Sequence, residues 1–269
     1  MAKGKAQVKY LGSEGLIQSS DAPDYSFLYE ESTVKSAEFN IGDRVALADG
    51  RVFRYAKSAG AINCDVGCKF MDDEFQSYQT IDASSNVAVG STSITVNGGT
   101  HATVSKDDLR GGYVIIYHTG GGGYTQFRGI IGNGAAIANA DFTVYLDAPT
   151  DTLIVGGTTG VEVFNNPYAS IDDGAGQGYS FAGKAAKQVT AASQYFWVQT
   201  WGPCWIAPNI TDGTWATNYH RGCFWRNDGS IQVAVAIGSL DADNTTQYAG
   251  FLINEGYSTG PLLMLQVCP

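Results

Sequence analysis

Apolar and polar residues alternate with a period of two along most of this chain, and clusters of Gly, Asn, Asp, Ser and Pro cut the alternation into short runs. Such a period puts successive side chains on opposite faces of an extended strand. Arg44-Val45-Ala46-Leu47-Ala48, then Asp49-Gly50, then Arg51-Val52-Phe53-Arg54-Tyr55 predicts a hairpin, because Asp-Gly supplies the positive φ angles of a two-residue type I′ turn. Further strands are predicted over residues 86–89, 93–96, 112–117, 124–128, 142–146 and 161–164, each bounded by turn formers. Beyond them come 195–201, 231–237, 248–253 and 262–267, the last apolar enough to read as a buried closing strand. No long 3.6-residue period interrupts the series. The fold class is therefore mainly β, with antiparallel barrel or sandwich modules.

Two stretches break the pattern and set the expected boundaries. Residues 1–38 hold polar clusters and few alternating runs, which reads as an extended N-terminal arm. Within it Tyr25, Phe27 and Tyr29 alternate, the spacing of one face of a strand that pairs with another subunit. Turn formers dominate again from Asn165 to Gly178. The expected organisation is an arm over 1–38, a β domain over 39–166, a linker over 167–180 and a Trp-rich β domain over 181–269. Residues 57–82 stay open between a short helix and a covering loop.

Composition narrows the function. Charged residues make up 16% of the chain, below the roughly 25% usual for globular domains, so little surface is dressed for water alone. The net charge of −10 argues against a nucleic-acid coat, which needs clustered Lys and Arg to neutralise phosphates. Only Lys3, Lys5 and Lys9 gather before the first acid, Glu14; they read either as a solvated tail or as a strap for an acidic neighbour. No apolar run approaches the ~20 residues that span a bilayer, and residues 1–15 lack the apolar core of a secretion signal. Synthesis and folding in a cytoplasm follow as the expectation, with Cys64, Cys68, Cys204, Cys223 and Cys268 as buried free thiols.

Catalytic patterns are incomplete wherever they begin. Gly178 to Lys184 spaces a phosphate-loop Gly-Lys, but Ala185 stands where Ser or Thr would hold magnesium. Cys64, Cys68, His220 and Cys223 could be added up to four zinc ligands, in a spacing that matches no common zinc pattern. Asp241, Asp243 and Asn244 form an acidic cluster without the Gly and terminal Glu of a calcium loop. Asp72-Asp73-Glu74, Asp107-Asp108 and Asp172-Asp173 read as solvated turns, and a glycosidase pair drawn from distant positions stays open. No enzyme, cofactor or metal site is expected. The aromatic residues are more telling: Trp197, Trp201, Trp205 and Trp215 fall within nineteen residues. In Tyr195-Phe196-Trp197-Val198-Gln199-Thr200-Trp201 both faces are partly apolar, the signature of a strand covered on both sides, in a core or at a subunit interface. A platform for sugars is the competing reading.

Two segments carry a likeness. Val104 to Ile116, a Gly-rich turn, Tyr124 to Asn133 and Phe142 to Pro149 together resemble a β module of tailed-bacteriophage structural proteins. Tyr195-Phe196-Trp197-Val198-Gln199-Thr200-Trp201-Gly202 is similar to a strand of the same group. The resemblance implies a virion component, a capsid decoration (cement) or head-fibre protein, that binds the major capsid protein and itself, with trimers expected by analogy. It implies no catalytic residues. The expected partner-binding residues are Lys3, Lys5, Lys9, Tyr25, Phe27, Tyr29, Trp197, Trp201, Trp205 and Trp215. A tail, neck or fibre component that binds host glycans is the alternative.

Overall fold

The computed structural model describes residues 24–71, 81–99, 101–117, 124–173, 179–208, 221–233, 244–254 and 260–269. The protein is mainly β, as the alternation predicts. Its strands in chain order are β1 (Arg44–Ala46), β2 (Val52–Lys57), β3 (Gly67–Phe70), β4 (Ile81–Asp82), β5 (Ser93–Val96), β6 (Tyr113–Tyr117), β7 (Gln126–Asn133) and β8 (Phe142–Leu146). They continue with β9 (Gly160–Phe164), β10 (Ile171–Asp172), β11 (Phe181–Ala185), β12 (Tyr195–Trp205), β13 (Gly222–Arg226), β14 (Ile231–Val233), β15 (Asn244–Asn254) and β16 (Leu262–Gln266). The named strands pair antiparallel throughout.

The chain divides into two units, and the division differs from the expected one. One unit takes the chain up to Met71 and again from Ser170; the other is Asp72–Ala169. The Arg44–Tyr55 hairpin thus belongs with the Trp-rich half, because β2 pairs along β12 from Tyr195↔Lys57 to Trp201↔Val52. Local periodicity reveals a strand but not a partner so far along the chain. Nor do residues 167–173, the described start of the expected 167–180 linker, run free: Tyr168 and Ile171 are buried, and β10 pairs with β3.

The discontinuous unit is a ten-stranded sheet in the order β10-β3-β11-β12-β16-β15-β13-β14, with β2 joined to β12 and β1 to β2. One core packs Phe181, Cys204, Ile206, Cys223, Trp225, Ile231, Leu252, Leu263 and Leu265. A second gathers Leu28, Val45, Leu47, Phe53, Tyr55 and Trp197. The β1–β2 turn is one residue longer than expected. Leu47 N donates to Arg51 O, Gly50 N donates to Leu47 O, and only Gly50 takes a positive φ, 89°. This is a three-residue hairpin with a left-handed glycine, not a two-residue type I′ turn.

The inserted unit is a six-stranded sheet in the order β4-β9-β6-β7-β8-β5. It curls until its outer strands meet: Ala83, just after β4, bridges Val96 of β5, and Ser84 N donates to Thr95 O at 2.9 Å. Inward residues of every second position, among them Ile94, Val114, Ile116, Ile130, Val144, Leu146, Val161 and Val163, fill the interior. The predicted strand over 86–89 reduces to a single bridge, Val87↔Ile154, because Ala88 and Gly90 already belong to a turn.

Candidate interaction surfaces

The expected site residues separate. Lys3, Lys5, Lys9 and Trp215 lie outside the described residues. Tyr25, Phe27 and Tyr29 do not form a strand: Asp24 Oδ1 accepts the Ser26 amide at 3.0 Å and opens a 3-10 turn over Ser26–Tyr29. That turn sends Leu28 into the core and sets Phe27 edge-on to Trp197, with ring centroids 5.6 Å apart. Ser32 exchanges backbone bonds with Tyr195, Arg51 donates to Tyr29 Oη at 2.8 Å, and Glu31 accepts from Thr190. Residues 24–38 are therefore fastened to their own chain rather than reaching out as an arm.

Strand β12 explains the tryptophans. From Phe196 to Thr200 both faces are buried, as the two-sided apolar pattern predicts, and Trp197 is ringed by Phe27, Phe39 and Tyr55. Trp225 is also fully buried, stacked on Phe181 at 4.5 Å, so neither ring can serve a sugar platform. After Gly202 the burial alternates: Cys204 turns inward, Pro203 is half-buried and Trp205 is exposed, with Trp201 half-buried on the same side.

That outward side continues across the sheet. Register places Pro203 opposite Met264, Met264 opposite Phe251 and Phe251 opposite Gly222, while Trp205 lies opposite Leu262. Tyr248 and Phe224 cross at 5.6 Å beside this row, and Ile253 extends it. The outward residues Trp201, Pro203, Trp205, Gly222, Phe224, Phe251, Ile253, Leu262 and Met264 carry no charge, and Arg226, next along β13 on the same side, donates to Gln232 Oε1 at 2.8 Å beyond Phe224. Sequence reasoning missed this face at β16, where only Leu263 and Leu265 are buried while Leu262 is exposed and Met264 half-exposed. The signal was present: a strand apolar at odd and even positions alike has two faces to cover.

The inserted unit shows a different surface on β9, β6 and β7. Tyr113 and Phe127 stack at 5.2 Å, Ile115 sits opposite Phe127 and Glu162, and Tyr117 donates to Glu162 Oε2 at 2.6 Å. The carboxylate holds the Tyr117 phenol above its ordinary pKa. Here hydroxyl and carboxylate groups are mixed with the rings, in contrast to the uncharged aliphatic and tryptophan face above.

Polar chemistry inside the units is structural in placement. Lys69 is buried, donates to Asn227 O at 2.8 Å and lies 4.9 Å over the Phe181 ring; burial lowers its pKa, against the opposing pull of Asp228 and Asp173. All five thiols are free, with Cys68, Cys204 and Cys223 buried and pushed by desolvation to about 12. Cys64 and Cys268 are only half-buried, which corrects the expectation that all five are interior. His101 packs edge-on against Phe142, its Nε2 2.7 Å from Ala140 O, while His118, His220, Asp241 and Asp243 lie outside the described residues. Gly183-Lys184 sits within strand β11, not at the start of a helix where a phosphate loop would place it. Asp107 and Asp108 form a turn, Asp108 Oδ2 accepting Ser105 N at 2.7 Å. Among the described residues, no three or more His, Cys, Asp or Glu side chains gather to hold a metal, and no helix is long and apolar enough to cross a membrane.

No family model matches this chain, and neither a curated protein nor a solved structure is found similar to it.

Proposed function

We propose that this chain is a structural protein of a tailed-bacteriophage virion, a decoration or cement subunit that binds the major capsid lattice and stabilises the head. The observation that carries the reading is the uncharged outward face built from Pro203, Trp205, Phe251, Ile253, Leu262 and Met264. Apolar side chains set side by side on a sheet lose free energy only when another surface removes them from water, at about 25 cal/mol per Å². A surface of this kind serves assembly. The likeness of Val104–Pro149 and Tyr195–Gly202 to phage structural proteins points the assembly to a capsid, and the net charge of −10 disfavours the packaged nucleic acid as the partner.

The experiment is a mass-spectrometric count of this chain in purified particles. Copies in fixed ratio to the major capsid protein are expected; absence from particles overturns the reading. A second reading, a tail or fibre component that grips host glycans, is favoured by the Tyr113, Tyr117 and Phe127 surface with its Glu162 acceptor. Copies confined to isolated tails would select it.

A further inference from the structure

We propose that the outward face of β12, β16, β15 and β13 is covered by a second copy of this chain, packed against it about a two-fold axis. The inference rests on reading that face as an assembly surface and names its occupant.

Area is the first argument. Trp205, Tyr248, Phe251, Ile253 and Leu262 keep between 38% and 46% of their surface in water. With large side chains of roughly 150–250 Å² each, this leaves about 400 Å² of apolar surface in one patch. A stable pairing takes ~800 Å² from each partner, of which about 60% is non-polar. Pro203, Met264 and Phe224, half-exposed between the five, bring the patch to that requirement. Charge is the second argument. Two copies that each carry −10 repel one another over most of their surfaces. Among its described outward residues this face has no carboxylate, and Arg226 lies at its edge beyond Phe224, tied to Gln232, so two copies meet there without setting acidic groups together.

Geometry selects the symmetry. A single patch that meets itself forms an isologous contact, in which every residue pair occurs twice, and such a contact closes at two subunits. The row Pro203, Met264, Phe251 runs through the middle of the patch, with Trp205 and Leu262 to one side and Tyr248 and Phe224 to the other. The axis therefore falls near Met264 and Phe251. Pairing through this face differs from the trimer that analogy with decoration proteins predicts.

Sedimentation equilibrium of the purified full chain tests the proposal. The wild type is expected at the mass of two chains, and Phe251→Lys at the mass of one with an unchanged circular dichroism spectrum. Phe127→Lys, on the other sheet, is expected to stay paired. Should Phe251→Lys fail to fold, Leu262→Arg at the margin of the patch takes its place. A wild type with the mass of one chain or of three overturns the proposal, as does a folded Phe251→Lys that remains paired. These results are independent of particle counts: a single-chain protein found on particles refutes the pairing alone, and a paired protein absent from particles refutes only the virion reading.

Discussion

Phe70 and Ile171 face each other in an antiparallel pair although the whole of Asp72–Ala169 lies between them. Met71 N donates to Ser170 O at 3.0 Å just beyond, so the chain leaves and re-enters the ten-stranded sheet at neighbouring points. An insertion with adjacent ends places little demand on its host. Replacing 72–169 by Asn-Gly, the dipeptide of a two-residue hairpin, is expected to leave a host unit that melts cooperatively with a β spectrum. Loss of the cooperative transition would show that the host needs its insert.

Gly67 lies against two stacked rings. A Cβ there would come within 2.4 Å of Trp225 Cζ3 and 2.8 Å of Phe181 Cδ1, closer than carbon atoms approach. Gly67→Ala is expected to destabilise the host unit by about 1–3 kcal/mol through overpacking. Urea titration followed by tryptophan emission checks this, and an unchanged midpoint would contradict the packing described.

Leu28 tests whether the segment after Asp24 belongs to the core. The side chain is fully buried beside Phe53 and Trp197. Leu28→Ala is expected to cost about 2–5 kcal/mol, whereas an arm that reached away from the molecule would lose nothing measurable. Thermal melting separates the two outcomes.

Much of the β architecture is written in local pattern. Strands β5, β6, β8 and β9 stand where alternation and turn formers put them, because each packs one face inward and one outward within its own neighbourhood. What alternation omits is partnership. Val52–Lys57 looks like half of a hairpin, yet its second edge belongs to β12, and this long-range pairing moves the unit boundary to Met71. Tyr25, Phe27 and Tyr29 misled for another reason: the Asp24 side chain closes a turn, and a local hydrogen bond overrides the two-residue spacing. The Trp cluster was legible in part. Trp197 follows from a strand apolar on both faces, but whether Trp205 is covered depends on what meets the sheet from outside.

The buried thiols set a limit at alkaline pH. Cys68, Cys204 and Cys223 titrate near 12 in the folded protein and near 9 when unfolded, so the native state holds more protons between these values. Their contribution to stability is complete below about pH 9 and is lost as pH rises toward about 12. The urea midpoint is expected to fall across this window, and Cys223→Ala to flatten the fall. In native protein Cys64 and Cys268 should react first with a thiol reagent. Equal reaction of all five would contradict the burial.

The proposed binding of this chain to the capsid lattice is tested most directly on the particle. Purified chain added to capsids that lack it should co-sediment and saturate at a fixed ratio to the major capsid protein, with the saturated capsids resisting heat better than bare ones. Failure to co-sediment at any protein concentration would contradict the account.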